Sequence, residues 1–257
     1  MIADRIADKV YSGRLRCYLM RSGSIVAIPS GRREARDYGW LKSYWLFSFD
    51  DYFDPNNLEF GALRVFNDDT IAPGRGFPAH RHEEMEIVTL VLSGRLTHRD
   101  SAGYEGMLVP GDVQRMSAGT GVLHSEMNGG KEPLHICQMW FLPNRGGLKP
   151  SYLQAAFPFT KWGGVLLPLV SGVGIAGALP ISSSATLYGC TLEPGGSVVS
   201  EGGARKVFVY VLQGGLAVEG QSVGEGDQLR CSAAGDLKLS SEGGARFVLV
   251  DMPEPEG

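Results

Sequence analysis

Apolar positions in this chain come in short stretches, alternating with polar residues or running unbroken, and hardly anywhere recur every third and fourth residue. Six stretches carry the signal: residues 61–67, 86–92, 134–141, 185–192, 206–212 and 246–250. Each is rich in β-branched or aromatic side chains and is bounded by Gly, Pro, Asp or Asn, which reads as a strand closed by turns. Only residues 1–10 and 152–156 show mild helical spacing. The pattern predicts an all-β protein.

The strand pattern also repeats. Val91-Leu92-Ser93-Gly94-Arg95-Leu96 returns as Val211-Leu212-Gln213-Gly214-Gly215-Leu216. Pro110-Gly111-Asp112 returns as Glu225-Gly226-Asp227, and Ser117-Ala118-Gly119 as Ala233-Ala234-Gly235. The order is the same in both halves: strand, glycine turn, strand, Gly-Asp turn, strand. The offsets differ only by what loop-length variation would give. Two tandem antiparallel β-barrels are therefore expected, one in residues 1–145 and one in residues 146–257. The Gly- and Pro-containing stretch 144–150 is the expected connection.

Composition narrows the class. A chain of 257 residues with 36 glycines suits many tight turns between short strands. The net charge is −4 and no basic run of five or more occurs, so the footprint of a direct nucleic-acid binder is missing. Asp4, Arg5, Asp8 and Lys9 interrupt the apolar stretch that a signal peptide would need. The densest apolar run, 165–170, is broken by Pro168 and is far too short to span a bilayer. Cys17, Cys137, Cys190 and Cys231 lie far apart with no CxxC pair, which suits reduced thiols in a cytoplasmic protein.

The chemistry concentrates in the histidines, of which there are five. His80-Arg81-His82 puts two imidazoles on one face of a strand, because residues i and i+2 share a face. His124-Ser125-Glu126 does the same for an imidazole and a carboxylate. If these two strands are neighbours, four ligands converge from two sides. Three neutral imidazoles and one carboxylate suit a divalent first-row metal, iron or manganese before calcium. Glu86 is the competing carboxylate. It shares the face of His82 but sits about 13 Å further along a straight strand, so Glu126 ranks above it. His98 reads as a strand end entering a turn, with a hydrogen bond there as its role. His135 reads as structural, its direction unresolved. No histidine lies beyond it, so the second repeat cannot build the same site and the ion is expected in the N-terminal barrel alone.

These residues resemble a known family. Gly74, His80, His82, Glu86 and Gly94 resemble the first cupin motif, and Pro110-Gly111-Asp112 through Gly121, His124 and Asn128 resemble the second. Gly94 comes one residue late, and Gly119 stands where many cupins have proline. More narrowly, the chain resembles the bacterial pirin family. The runs that carry this include Phe49-Asp-Asp-Tyr-Phe-Asp-Pro55, Leu63-Arg-Val-Phe-Asn-Asp-Asp69, His98-Arg-Asp-Ser101 and Gly111-Asp-Val-Gln-Arg-Met-Ser-Ala-Gly-Thr-Gly121. The resemblance is strong over residues 40–155 and weaker, but in register, to Pro253.

The resemblance implies a bicupin of jelly-roll barrels holding one divalent transition metal. The metal is usually iron, with Mn, Ni, Co, Cu and Zn as alternatives. The family's ligands map onto His80, His82, His124 and Glu126, which favours Glu126 over Glu86. Members are known as quercetin 2,3-dioxygenases and also as regulators that bind transcription factors or metabolic enzymes. The implied partners are thus a small flavonol-like aromatic and O2, or another protein. In the enzyme reading the ion is a Lewis acid toward the substrate hydroxyl, and Glu126 is both ligand and base. The chain departs from the family at Arg81, commonly proline, and at Tyr44-Trp45, commonly Arg-His. The second change bears on substrate preference, through a pocket wall or the surface.

Overall fold

A computed structural model describes residues 24–203, 205–232 and 235–253. Residues 1–10, Cys17, and the Ala233-Ala234 part of the third repeat match lie outside the described residues. Among the described residues the regular elements are strands and two single 3-10 turns. No helix among them is long and apolar enough to cross a membrane.

The strands are β1 (Ile25–Ile28), β2 (Glu34–Asp37), β3 (Leu41–Trp45), β4 (Leu63–Ile71), β5 (Gly76–His82), β6 (Glu86–Ser93) and β7 (Leu96–Asp100). Next come β8 (Glu105–Leu108), β9 (Asp112–Ser117), β10 (Val122–Asn128), β11 (Leu134–Phe141), β12 (Ser151–Ala156), β13 (Leu167–Ser171) and β14 (Leu179–Pro180). The last are β15 (Thr186–Leu192), β16 (Ser197–Ser200), β17 (Arg205–Val218), β18 (Gln221–Gly224), β19 (Gln228–Ser232), β20 (Leu237–Ser240) and β21 (Ala245–Pro253). All six stretches expected as strands are strands.

Contacts divide the chain into two units. Among the described residues, the first holds 34–157 and 181–183; the second holds 24–33, 158–180, 184–203, 205–232 and 235–253. In the first, a seven-stranded sheet of order β12-β9-β6-β11-β4-β3-β2 and a four-stranded sheet of order β5-β10-β7-β8 enclose the core. The second is built on β1-β19-β17-β21-β15-β13-β14, with β16, β18 and β20 branching from it. Pairing between the strands is antiparallel except between β13 and β14.

The repeat seen in the sequence is a repeat of hydrogen bonds. Gly111 N–H donates to Val91 C=O, and Gly226 N–H donates to Val211 C=O, both at 2.9 Å. The Asp112 carboxylate accepts from Val109 N–H, and the Asp227 carboxylate from Gly224 N–H. Gly94 and Gly214 both take positive φ, at 82° and 75°. A Cβ on either would strike backbone of the strand start opposite, at Leu134 or beside Ala245.

One expectation is overturned. Residues 152–156 are not helical but form β12, which pairs with β9 over Ser151–Ala156 at the edge of the seven-stranded sheet. The ladder bonds offered by β9 outweigh a weak local preference. Segment 144–150 precedes this strand.

Among the described residues, an apolar cluster of the second unit includes Cys190, Val207, Val209, Leu229, Cys231 and Phe247. In the first unit, two apolar clusters of described residues have a polar layer between them. The alternation of strand side chains makes this layer. Along β3 the inward sequence is Leu41, Ser43, Trp45, and along β4 it is Val65, Asn67, Asp69, Ile71. Along β6 it is Ile87, Thr89, Val91, and along β11 it is Ile136, Gln138, Trp140. The middle residues are polar and buried. Burying so many polar groups is costly unless they are paired, so a layer of this kind marks a place where something polar is held.

Candidate metal centre

The four-stranded sheet supplies the histidines. β10 lies between β5 and β7, so the two short motifs do sit on neighbouring strands. Register places His124 opposite His80 on one side and opposite Asp100 on the other. A register shift between His124 and Glu126 interrupts the β5–β10 pairing, and Glu126 then faces His98 across β7. Such a bulge re-aims the side chains around it.

Three imidazoles meet. The Nε2 atoms of His80 and His124 are 3.0 Å apart, and the ring of His82 lies 4.7 Å from that of His80 and 4.9 Å from that of His124. Candidate ligand atoms of His80, His82 and His124 all lie within 4.8 Å of one another. His98, His124 and Glu126 satisfy the same condition. Among the described residues there are thus two overlapping triads, and they share His124. Glu86 stands in neither: its carboxylate accepts from Ser117 Oγ at 2.5 Å and from Ser182 N–H at 3.3 Å.

The donor set fits a transition metal. Burial, reinforced by the neighbouring imidazoles, lowers His82 well below the ordinary histidine value and pushes His124 down to about 2. Both rings are then neutral at pH 7, the form that binds metal. Two ring nitrogens 3.0 Å apart match the spacing of neighbouring ligands on one ion with metal–nitrogen bonds of about 2.1 Å.

Glu126 is fixed from two sides. Gln114 Nε2 donates to Oε1, Gln138 Nε2 donates to Oε2 at 2.7 Å, and Thr89 Oγ1 stands 3.5 Å from Oε1. Each glutamine is oriented in turn. Trp140 Nε1–H donates to Gln138 Oε1 at 3.0 Å, and the Tyr152 hydroxyl shares its one proton between Gln154 Oε1 at 2.8 Å and Gln114 Oε1 at 3.1 Å. Both amides must therefore present NH2 to Glu126, whose oxygens are acceptors. Trp140 also packs edge-on against His82, with ring centroids 4.8 Å apart.

His98 differs from its sequence reading. It does hydrogen-bond, Nε2 to Asp100 Oδ2 at 3.1 Å, but it lies within β7 and its ring is buried beside His124 at 5.3 Å. Tyr152 stacks on it at 4.4 Å. Gln114, Gln138 and Tyr152 were missed as well. The signal available for the two glutamines was a polar residue at an inward position of an otherwise apolar strand. Nothing local marked Tyr152. His135 lies on the outer side, its Nε2 2.6 Å from Asp68 Oδ1. Of the departures, Arg81 is exposed and ion-pairs with Glu83, and Tyr44 is exposed. Trp45 is buried and joins an aromatic run through Phe49 to Trp140.

Asp69 is a further buried carboxyl in the polar layer. Burial pushes its pKa up to about 7, although the Ser43 hydroxyl donates to it. A pKa above the unfolded value of about 3.9 means that the folded state binds the extra proton between those limits. Asp69 should therefore withdraw stability from the metal-free protein as pH rises from about 4 through 7, by a few kcal/mol on the order of the shift, against the opposite contribution of His82 and His124, whose lowered values add stability as pH rises toward the ordinary histidine range. Asp69→Asn should remove that loss, so that its gain in stability over the wild type is larger at pH 8 than at pH 5. Urea unfolding of both proteins at pH 5 and pH 8 checks this; equal slopes would reject it.

Comparison with known proteins places these features. Residues 29–141 match the family described as Pirin, and residues 168–252 match the family described as Quercetinase C-terminal cupin domain. A pirin-like protein of Caulobacter vibrioides is 40% identical over 225 residues, covering 87% of this chain and 97% of its own. A quercetin 2,3-dioxygenase of Escherichia coli K12 is 35% identical over 226 residues, covering 87% and 96%. The crystal structure of the bacterial pirin YhhW from Escherichia coli in complex with nickel(II) superposes with a TM-score of 0.85 at 33% identity. It covers 90% of this chain and 99% of YhhW.

Proposed function

The chain belongs to the pirin family, and on that premise we propose that it is a metal-dependent dioxygenase opening the ring of quercetin-like flavonols with O2. The site is mononuclear, with His80, His82, His124 and Glu126 as ligands. The observation that carries this reading is the convergence of three imidazoles beside a carboxylate that is held by two oriented amides. The substrate class comes from relatives such as the Escherichia coli protein named quercetin 2,3-dioxygenase.

Iron is the ion we assign, with Mn, Ni, Co, Cu and Zn as alternatives; nitrogen and oxygen donors suit all of them. Residues 146–257 contain no histidine, so one ion per chain is expected, held in the domain of residues 1–145. When bound, the ion supplies Lewis acidity toward a substrate hydroxyl and a site where O2 and substrate meet.

The protein does the rest. His82 and His124 stay neutral and present lone pairs. Gln114 and Gln138 hold the Glu126 oxygens in one orientation, so that the carboxylate can take the proton from a flavonol hydroxyl brought within hydrogen-bond reach. Trp140 packs edge-on against His82 and limits the freedom of its ring. A cytoplasmic location suits Cys137, Cys190 and Cys231, which are buried and not joined in disulfides.

The test is loss of the quercetin absorbance band with metal-loaded protein, in air and under argon. Oxygen-dependent loss is the expected result. An unchanged band at full metal occupancy would overturn the enzyme reading in favour of a metal-loaded regulator of a protein partner.

A further inference from the structure

The metal-ligand reading of His124 leaves one of its atoms unexplained. Nε2 faces His80, on the side where the ion is held. Nδ1 is buried with no hydrogen-bond partner. A neutral imidazole that gives its Nε2 lone pair to a metal carries its proton on Nδ1, so this atom is a buried donor that needs an acceptor. His98 has the complementary defect. Its Nδ1 is also buried and unpartnered, and its ring stands 5.3 Å from that of His124.

Asp100 decides which tautomer His98 adopts. A carboxylate can only accept here, so His98 Nε2 carries the proton that Asp100 Oδ2 receives at 3.1 Å. His98 Nδ1 is then a lone pair. We propose that His98 is the positioning residue behind His124: held by Asp100, it accepts the His124 Nδ1–H, directly or through one water, and so fixes the ring that faces the metal. Every proton in the line has one place, from the Asp100 carboxylate to His98 Nε2–H, from His98 Nδ1 to His124 Nδ1–H, and from His124 Nε2 to the ion.

The surroundings are built to hold His98 still. Its side chain is fully buried, and Tyr152 stacks on the ring with an interplanar angle of 24°. Asp100 is anchored separately, since its Oδ1 accepts from Ala102 N–H at 2.9 Å and Tyr104 N–H at 3.1 Å. The strand register sets the same neighbours side by side, with His124 opposite Asp100 and Glu126 opposite His98.

The inference rests on His124 being a ligand, and the experiment separates the two. Nickel(II) dissociation constants are measured by chelator competition for the wild type and for His98→Phe, His98→Asn, Asp100→Asn and His124→Ala. The melting temperature of each metal-free protein is measured alongside. His98→Phe keeps the ring stack but offers no acceptor, and should weaken nickel binding by about 10–100-fold, the usual cost of losing a partner behind a metal-bound histidine. His98→Asn places a carbonyl oxygen near the position of Nδ1 and should recover most of that loss. Asp100→Asn keeps an oxygen for the two turn amides but turns its NH2 toward His98, which moves the His98 proton to Nδ1 and sets donor against donor. It should weaken binding like His98→Phe, and the nitrogen shifts of His98 in the zinc-loaded protein should report the flipped tautomer.

Wild-type affinity in both His98→Phe and Asp100→Asn would overturn the proposal. So would a loss in His98→Phe as complete as in His124→Ala, since His98 would then be a ligand itself. Retention of nickel by His124→Ala would instead remove the ligand reading on which this inference stands. Should His98→Phe fail to fold, Asp100→Asn with the tautomer measurement decides.

Discussion

Replacing His124 by Ala is expected to empty the metal centre. This residue belongs to both triads, lies in the middle strand of the three that build the site, and stands 3.0 Å, nitrogen to nitrogen, from His80. Its loss removes a neutral nitrogen donor and leaves a gap that water fills. Because even a partner behind a ligand is worth 10–100-fold in affinity, the ligand itself should cost more than about a hundredfold. Flavonol turnover should vanish with the metal. The fold should survive, since the two apolar clusters on either side of the polar layer do not include His124. Metal content by mass spectrometry, together with circular dichroism, checks both halves of this statement. A folded variant that still holds one ion per chain would rule out His124 as a principal ligand.

Glu126→Gln should separate metal binding from chemistry. The change keeps size and a carbonyl oxygen but removes the negative charge and the proton-accepting role. In this site it also sets an amide against the NH2 groups of Gln114 and Gln138, both of which are held in orientation by Tyr152 and Trp140. One donor is left unpaired, at a cost of about 1–3 kcal/mol in stability. The metal should bind more weakly but be retained at saturating concentration. Turnover at matched occupancy should fall about a hundredfold or more, the scale of a general base. Glu86→Gln should be much milder, because Glu86 bonds to Ser117 and Ser182 and stands outside both triads. If Glu86→Gln loses the metal while Glu126→Gln keeps wild-type affinity and rate, the ligand assignment is wrong.

Much of the centre was legible because strand geometry is simple. His80 and His82, and His124 and Glu126, share faces by their spacing alone, and the Gly-Asp turns announced the internal repeat. The repeat holds down to individual hydrogen bonds at Gly111 and Gly226. The polar layer could also have been found. Ser43, Thr89 and Gln138 each interrupt an inward apolar series at one position. Inside an apolar run such an interruption is easily read as noise, because a run buried on both faces hides which face is inward.

By itself, then, the sequence determined the all-β class, the strand positions, the two-fold repetition and the same-face pairs, because each depends on residues within a few positions of one another. The tertiary structure decided the rest. It turned residues 152–156 into an edge strand, because β9 offers ladder bonds that local preference cannot see. It brought Tyr152 onto His98 and Gln114, and Gln138 onto Glu126, across separations that no spacing encodes. It also moved His98 from a turn to the side of His124, because the β7–β10 register, set by pairing across the sheet, chooses which residues face each other.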